Sequence, residues 1–232
     1  METPKNSDTE TFGVYDSFGR EYVAGQAEFD KGASLPVREK FIEILRPLIA
    51  GAMVADVGCG AGADLVYYKA LGAKAVIGIE PSHTMRHLAQ ERIATDDTII
   101  SIQSGTLENT GLDEASCDIV VARYSLHILT NLQPAFVELA RILKPEGLLV
   151  IAVSHPDFDR YIAKKRGLTI GNRVDVKLFG GTVTLNNGTH TMEEYVGDTV
   201  KNYFNPLQTE SFRLNQNNSE LNTDLVITYQ KM

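Results

Sequence analysis

Five short, mostly apolar segments recur along the chain between Met53 and Ser154. A strand that is apolar at successive positions, rather than at every second one, is typical of a parallel sheet covered on both faces. We therefore predict five core strands, in the segments MVADV, AKAVIGI, TIISI, CDIVVA and LLVIAVS.

Segments with helical spacing lie before and between these strands, and several are bounded by Pro near the start or Gly after the end. Alternating strands and helices at this spacing predict right-handed crossovers and a Rossmann-like, doubly wound α/β fold. In such a fold the ligand lies beyond the carboxyl ends of the strands. The predicted helices are 36–50, 61–71, 82–94 and 132–143.

The pattern changes after Ser154. Residues 155–190 contain many turn residues and no clear alternation of strand and helix, and a helix is predicted over Thr191–Tyr203. Two strand-like runs, QTESFRLN and LNTDLVITYQ, follow on either side of an Asn-rich turn. They predict a C-terminal antiparallel hairpin on the otherwise parallel sheet.

Composition limits the classes of function. The chain has 232 residues, 43% hydrophobic and 22% charged, which suits one buried core. Its net charge of −8 offers no overall attraction for nucleic acid or anionic lipid, and no apolar run is long enough for a membrane span. The two cysteines are too few for a disulfide framework, and the first residues lack a leader pattern, so we expect a cytoplasmic protein.

A glycine-rich loop follows the first predicted strand, in Val54-Ala55-Asp56-Val57-Gly58-Cys59-Gly60-Ala61-Gly62. Glycines allow a tight turn and close approach of a ligand to the backbone. The spacing is Gly-x-Gly-x-Gly, not the Gly-x-Gly-x-x-Gly of dinucleotide enzymes, and Asp56 stands two positions before the first glycine. Both features argue against a pyrophosphate and favour a cationic ligand near the strand end.

A second acid follows the second strand. Glu80 stands 22 positions after Gly58, where a carboxylate can accept hydrogen bonds from both hydroxyls of a ribose. Together the two acids predict a nucleoside ligand with a positively charged head.

These segments resemble the motifs of class I S-adenosylmethionine-dependent methyltransferases, in particular the small-molecule, methyltransferase type 11-like branch. The glycine loop resembles the first motif, and the resemblance extends over about residues 36–154. The other three motifs are Gly78-Ile79-Glu80-Pro81-Ser82, Cys117-Asp118-Ile119-Val120-Val121-Ala122-Arg123 with Leu126-His127 following, and Arg141-Ile142-Leu143-Lys144-Pro145-Glu146-Gly147.

The resemblance implies S-adenosyl-L-methionine as the cofactor and assigns residues to its parts. Family members commonly carry an Asp after the third strand for the adenine amino group, whereas this chain has Thr106 and Leu107, whose hydroxyl and backbone N–H can still bond the ring. The expected cofactor-binding residues are Asp56, Gly58, Cys59, Gly60, Glu80, Pro81, Ser82, Met85, Thr106, Leu107, Ala122 and Arg123.

Candidate groups for the methyl acceptor lie outside the glycine loop. His155 ends the fifth strand and is the first candidate for a general base, and His127 is the second, although either imidazole can instead be a packing residue. Tyr15 and Tyr22 resemble lid aromatics of the family, with an amphipathic helix packed on the core as the alternative. We also assign Tyr195 and His155 to the acceptor pocket. No metal site is predicted, because His83 and His87 lack a third ligand nearby in sequence.

These observations predict one methyltransferase domain. It comprises an N-terminal helical lid (1–35), a cofactor-binding core (36–154), a substrate-pocket insertion (155–205) and a terminal hairpin (206–232). The predicted function is methyl transfer to an oxygen, nitrogen or carbon atom of a small-molecule acceptor. A non-catalytic module that binds S-adenosylmethionine or S-adenosylhomocysteine is the main alternative, and a nicotinamide dehydrogenase is a weaker one. The oligomeric state stays open.

Overall fold

The structure is a computed structural model of the chain. It describes residues 15–16, 19–32, 34–94, 97–167, 173–178, 181–186, 190–213 and 221–232, with 173–178 and 181–186 described by their backbone alone.

A seven-stranded sheet forms the centre of the molecule, with strand order β3-β2-β1-β4-β5-β9-β8. The first five strands are parallel, and β9 pairs antiparallel with both β5 and β8. The predicted Rossmann-like fold with a C-terminal antiparallel hairpin is therefore confirmed. The strands of this sheet are β1 (Met53–Val57), β2 (Ala75–Ile79), β3 (Ile100–Gln103), β4 (Cys117–Arg123), β5 (Leu143–Ser154), β8 (Phe204–Phe212) and β9 (Asp224–Lys231).

Helices cover both faces of the sheet. Successive side chains of a strand point to opposite faces, and in β1 Val54 packs in one hydrophobic core while Ala55 packs in the other. Helix α5 supplies Phe136 to the core that contains Ala55, and α2 supplies Phe41 to the core that contains Val54. The helices are α1 (Arg20–Lys31), α2 (Leu35–Leu45), α3 (Leu65–Ala70), α4 (His83–Arg92), α5 (Gln133–Ile142), α6 (Pro156–Lys165), α7 (Met192–Val196) and α8 (Asp198–Lys201), and a short 3₁₀ helix spans Leu126–Ile128.

The region after Ser154 contains more regular structure than the sequence predicts. Helix α6 begins directly after β5, with Pro156 at its first position and His155 as its N-cap. A separate antiparallel hairpin follows, formed by β6 (Arg173–Leu178) and β7 (Gly181–Asn186). The single helix predicted over 191–203 is divided into α7 and α8 at Gly197, whose backbone is extended. The predicted division of the chain into lid, core, insertion and hairpin stays a prediction.

Helix α1 and the residues before it belong to the segment predicted as a lid. Asp16 accepts hydrogen bonds from the Ser82 hydroxyl at 2.7 Å and from the backbone N–H of Thr84 at 3.1 Å. Because Ser82 is the N-cap of α4, the N-terminal segment is attached to the first turn of that helix. Within the ranges described above, no helix combines the length and the hydropathy needed to cross a membrane.

Candidate functional site

A cavity opens at the carboxyl ends of β1, β2, β3 and β4, where a doubly wound fold places its ligand. It contains about 910 Å³ of space, counted out to its open mouth. Its described lining consists of Tyr15, Tyr22, Gln26, Asp56, Gly58, Cys59, Gly60, Ala63, Asp64, Glu80, Pro81, Met85, Thr106, Leu107, Arg123, Tyr124, Ser125 and Ile128.

The glycine loop forms the floor of this cavity. The backbone N–H groups of Gly58 and Cys59 donate to the carbonyl of Ile79 at 2.7 and 3.1 Å, which ties the loop to the end of β2. Gly58 has φ +82°, and a Cβ at this position would lie 2.5 Å from the Cβ of Ser125. Gly60 has φ +53°, and a Cβ there would have no atom within 4 Å. The loop therefore needs glycine for backbone geometry at both positions, and the space next to Gly60 is open.

Glu80 joins the loop to α4. One carboxylate oxygen accepts from the N–H of Gly60 at 3.0 Å, and the other accepts from the N–H of Ser82 at 2.9 Å. Burial raises the pKa of Glu80, while these two N–H groups act in the opposite direction. Each carboxylate oxygen keeps a further lone pair for a ligand hydroxyl.

Asp56 is the most strongly perturbed acid in the cavity wall. It is 4% exposed, and burial, followed by the charge of Asp64, raises its pKa to about 8. Arg123 acts against this rise, and Glu80 adds to it. A cationic ligand beside Asp56 would favour its charged form, so the wall is suited to positive charge.

The side chain of Arg123 connects the cavity wall to helix α1. Its guanidinium donates two hydrogen bonds to Asp30 of α1, at 2.7 and 3.0 Å, and one to Asp64 at 2.7 Å. Burial disfavours the charge on Arg123, but Asp64 and Asp30 outweigh that effect and raise its pKa. The family resemblance implies that Arg123 contacts the cofactor, and it gives no sign of this ion-pair network.

Tyr15 and Tyr22 pack edge to face against each other, with ring centroids 6.0 Å apart, and both line the cavity. Burial raises the pKa of Tyr22 to about 12, and it raises that of Tyr15 further. Both hydroxyls therefore carry their protons at neutral pH. The lid role of the two tyrosines stays a prediction that this placement supports.

Most residues expected to bind the cofactor lie in the cavity wall, and two lie behind it. Ser82 is 1% exposed and caps α4, and Ala122 is fully buried within β4. The cavity-lining residues that the sequence did not single out are Gln26, Ala63, Asp64, Tyr124, Ser125 and Ile128. Asp64 lies two positions after the glycine loop, and Tyr124 directly follows β4. These positions are the one sequence signal that could have identified the two residues.

His155, His127 and Tyr195 are outside the lining of this cavity. Nδ1 of His155 accepts the N–H of Asp157 at 3.2 Å as a helix cap, and burial lowers the pKa of the ring. Burial lowers the pKa of His127 to about 4, so this ring is neutral and weakly basic at pH 7. Tyr195 is 1% exposed in the core, where its carbonyl accepts the hydroxyl of Tyr229 at 2.9 Å. The acceptor-side roles of all three stay predictions.

Comparisons with known proteins agree with this geometry. Residues 55–151 match a family described as "Methyltransferase domain". The chain is 25% identical over 173 residues to the ubiquinone/menaquinone biosynthesis C-methyltransferase UbiE of Campylobacter jejuni, covering 72% of this chain and 68% of that protein. It is 29% identical over 167 residues to the mouse tRNA (carboxymethyluridine(34)-5-O)-methyltransferase ALKBH8, covering 69% of this chain. The chain spans only 23% of that mouse relative.

A solved structure of an S-adenosylmethionine-dependent methyltransferase from Mesorhizobium loti has the same fold. The TM-score is 0.67 at 17% identity, and the match covers 87% of this chain and 99% of the other. The fold is therefore the one found in S-adenosylmethionine-dependent methyltransferases of known structure. Residues 55–151 match the methyltransferase domain family, in the region that carries the four motifs. The predicted enzyme class and cofactor are thereby confirmed for this domain.

The cavity residues fit S-adenosylmethionine. The cofactor carries a positively charged sulfonium and an ammonium group, and the wall contains the buried acids Asp56 and Glu80. The positive charge of Arg123 is matched by Asp30 and Asp64. Gly60 leaves the space over the loop open to a ligand.

Proposed function

We propose that the protein transfers a methyl group from S-adenosylmethionine to a small-molecule acceptor. The observation that carries this proposal is the acid-lined cavity over the glycine loop, with Glu80 hydrogen-bonded to the loop at Gly60. The net charge of −8 supports a small acceptor over a phosphate-rich one. The name of the Campylobacter relative, a C-methyltransferase of ubiquinone and menaquinone biosynthesis, is consistent with a small organic acceptor.

The residues divide the work of holding the cofactor. Glu80 accepts the ribose hydroxyls, Asp56 faces the positively charged part, and Thr106 and Leu107 contact the adenine. When bound, S-adenosylmethionine supplies an electrophilic methyl group on sulfur, so no nucleophilic side chain is needed. The protein aligns the acceptor and excludes water, and the lid formed by Tyr15, Tyr22 and α1 contributes to both.

The first test is cofactor binding measured by isothermal titration calorimetry. We expect S-adenosylmethionine and S-adenosylhomocysteine to bind and NAD not to bind. Glu80→Gln should weaken binding by about 1–3 kcal/mol, because a charge-assisted hydrogen-bond acceptor is lost. Glu43→Gln is the control, since Glu43 is an exposed residue of α2 that pairs with Lys40. Equal affinity in wild type and Glu80→Gln would contradict the ribose assignment.

The second test separates a small-molecule enzyme from its alternatives. Transfer of labelled methyl groups is measured to a panel of small phenols, amines and carboxylic acids, with bulk tRNA as a separate arm. Transfer to a small molecule supports the proposal, and transfer to tRNA alone contradicts it. Cofactor binding with no transfer in either arm favours the non-catalytic binding module.

A further inference from the structure

Tyr124 occupies an unusual position beside the cofactor cavity. It directly follows β4, lines the cavity, and has φ +57°, a left-handed conformation that is uncommon for any residue other than glycine. Its backbone N–H donates to the carbonyl of Ala152 at 2.8 Å, which fixes the residue against β5. Strained backbone of this kind persists where surrounding contacts impose it, and it concentrates at functional sites.

The hydroxyl of Tyr124 donates to Oδ1 of Asp224, at 2.7 Å. Asp224 is the first residue of β9 and is 5% exposed, and its other oxygen accepts the hydroxyl of Thr223 at 2.6 Å. Burial raises the pKa of Asp224, so the carboxyl takes up a proton more readily than an exposed one. The oxygen of Tyr124 retains a lone pair that can accept a hydrogen bond from a ligand.

Asp224 interacts in turn with a second acid, Asp159, which interacts with the hydroxyl of Tyr195. Asp159 accepts the hydroxyl of Ser154, and burial raises its pKa to about 6, with the charge of Asp224 adding to the rise. The hydroxyl of Tyr195 is buried without a hydrogen-bond partner among the described residues, and the charge of Asp159 raises its pKa further after burial. The partner of Tyr124, Asp224, therefore interacts with a second acid, Asp159, and the unpartnered Tyr195 hydroxyl interacts with Asp159.

Among the residues whose side chains the structure describes, the basic groups near these acids are paired or neutral, and His190, which acts on Asp159, is paired with Glu194. Arg123 is bound to Asp30 and Asp64, and Arg160 is bound to Asp157. Burial lowers the pKa of His155 and lowers that of His127 to about 4, with the neighbouring His190 contributing to the latter. A ligand here meets acceptors and negative charge, which favours a cation and disfavours an anion.

We propose that Tyr124 binds the methyl acceptor and, with Asp224 as its hydrogen-bond partner, deprotonates it, and that this acceptor is an amine. The proposal rests on the proposed methyl-transfer function and identifies its acceptor class. A bound ammonium group gives one proton to the oxygen of Tyr124, while the phenol proton of Tyr124 passes to Oδ1 of Asp224. The neutral nitrogen then uses its lone pair to form the new bond to the methyl carbon. The carbon–sulfur bond breaks with its electron pair staying on sulfur, and the product leaves as an ammonium ion.

The test uses three probes of equal size: benzylamine, benzyl alcohol and benzoate. Each is titrated by calorimetry into the full chain saturated with S-adenosylhomocysteine. We expect benzylamine to bind most tightly and benzoate least. Tyr124→Phe keeps the ring that packs edge to face on His127. It should weaken benzylamine binding about 5-fold, since one hydrogen bond to a charged group is lost, while S-adenosylhomocysteine affinity changes less than about twofold.

Asp224→Asn removes the negative charge and should reduce the preference for benzylamine over benzyl alcohol by about 10-fold. Tyr67→Phe is the matched control, because Tyr67 is 43% exposed on α3. Thermal unfolding checks that each variant is folded. If Asp224→Asn does not fold, the binding measurements on Tyr124→Phe test the proposal.

Three results would overturn the assignment: benzoate binding at least as tightly as benzylamine, unchanged benzylamine affinity in Tyr124→Phe, or no binding of any probe at millimolar concentration. If the wild-type chain fails to bind S-adenosylhomocysteine, the proposed function itself is wrong. The two failures are therefore distinguishable.

Discussion

Gly58 and Gly60 share a left-handed backbone but face different surroundings. A side chain at Gly58 would meet the protein itself, at the Cβ of Ser125, whereas one at Gly60 would enter open space over the loop. The size of the residue at position 58 is therefore limited by the fold, and the size of the residue at position 60 is limited by the ligand.

This difference gives a prediction for two matched alanine variants. Gly58→Ala adds a clash to an unfavourable φ and should lower the unfolding temperature clearly more than Gly60→Ala does, because Gly60→Ala adds only backbone strain of about 1 kcal/mol. Gly60→Ala should instead weaken S-adenosylhomocysteine binding, because its side chain enters the space over the loop, while it lowers stability only by this strain. Thermal unfolding and calorimetry on both proteins make the comparison. Equal losses of stability in the two variants would show that Ser125 moves aside.

Individual site residues can be predicted from the sequence only where their spacing along the chain is local. Glu80 could be assigned because it follows a strand at a fixed distance from Gly58. Tyr124 and Asp224 could not, because their pairing joins positions 100 residues apart. Nothing in the residues around Asp224 marks it as more than the start of an edge hairpin.

Among the elements, α1 is held on the core by a buried charge network. Arg123 at the end of β4 bonds Asp30 of α1 and Asp64 before α3, and the side chains of Arg123 and Asp30 are 7% and 3% exposed. Burial opposes the charge on Asp30, and the bonds from Arg123 outweigh it and lower its pKa. Breaking a buried pair leaves the remaining charge poorly compensated.

Asp30→Asn should therefore loosen α1 without unfolding the domain, since Arg123 keeps Asp64. We expect faster proteolysis within residues 20–31 and a dissociation rate for S-adenosylhomocysteine raised about 10-fold, equivalent to about 1.4 kcal/mol. Limited proteolysis and stopped-flow displacement measure the two effects. Glu28→Gln is the control, because Glu28 lies on the same helix in an exposed pair with Lys31. If proteolysis speeds up and cofactor release does not, α1 is a structural element and not a lid.

The sequence predicts the core elements well and the later ones poorly, for a physical reason. The strands of the core are buried on both faces, so their apolar runs are unbroken and mark β1 and β4 within one residue. Strand β5 starts earlier than its apolar run, because it includes an irregular segment in which Glu146 has φ +63°. Helix α6 has a mixed polar sequence, and its start is fixed by the His155 cap and Pro156, where the sequence analysis predicts only the end of the fifth strand.

At the scale of the whole molecule, the chain ends by inserting β9 between β5 and β8. This order places Asp224 opposite Ser154 at the carboxyl end of β5, next to the ligand edge of the parallel strands. The last strand therefore contributes Asp224 to the proposed acceptor site, where it pairs with Tyr124 at the end of β4. A hairpin could be predicted from its own sequence, but its position in the sheet is set by packing and not by local pattern.

The buried acids also link the stability of the whole domain to pH. The pKa of Asp56 is raised to about 8, so the folded state retains a proton that an unfolded Asp, with a pKa near 4, has already released. Stability contributed by such a group is lost as pH rises toward its folded pKa. Acids with lowered pKa values, such as Glu138 at about 2, stabilise the fold at neutral pH, and that stabilisation is lost only in strong acid. The pKa of His127 is lowered to about 4, so this residue destabilises the fold only below about pH 6.5, where the unfolded chain binds the proton.

The change in unfolding free energy between pH 6.5 and 8 therefore comes mainly from Asp56. We expect the ligand-free protein to lose about 2 kcal/mol across it, which lowers the unfolding temperature by about 4–8 °C in a domain of this size. Asp56→Asn should remove most of this slope, because the amide does not titrate. Asp118→Asn is the control, since Lys144 and the N–H of Met53 hold that carboxylate ionised throughout the window. Thermal unfolding at constant ionic strength measures the slope, and a slope that persists in Asp56→Asn would place the titrating proton on another buried group.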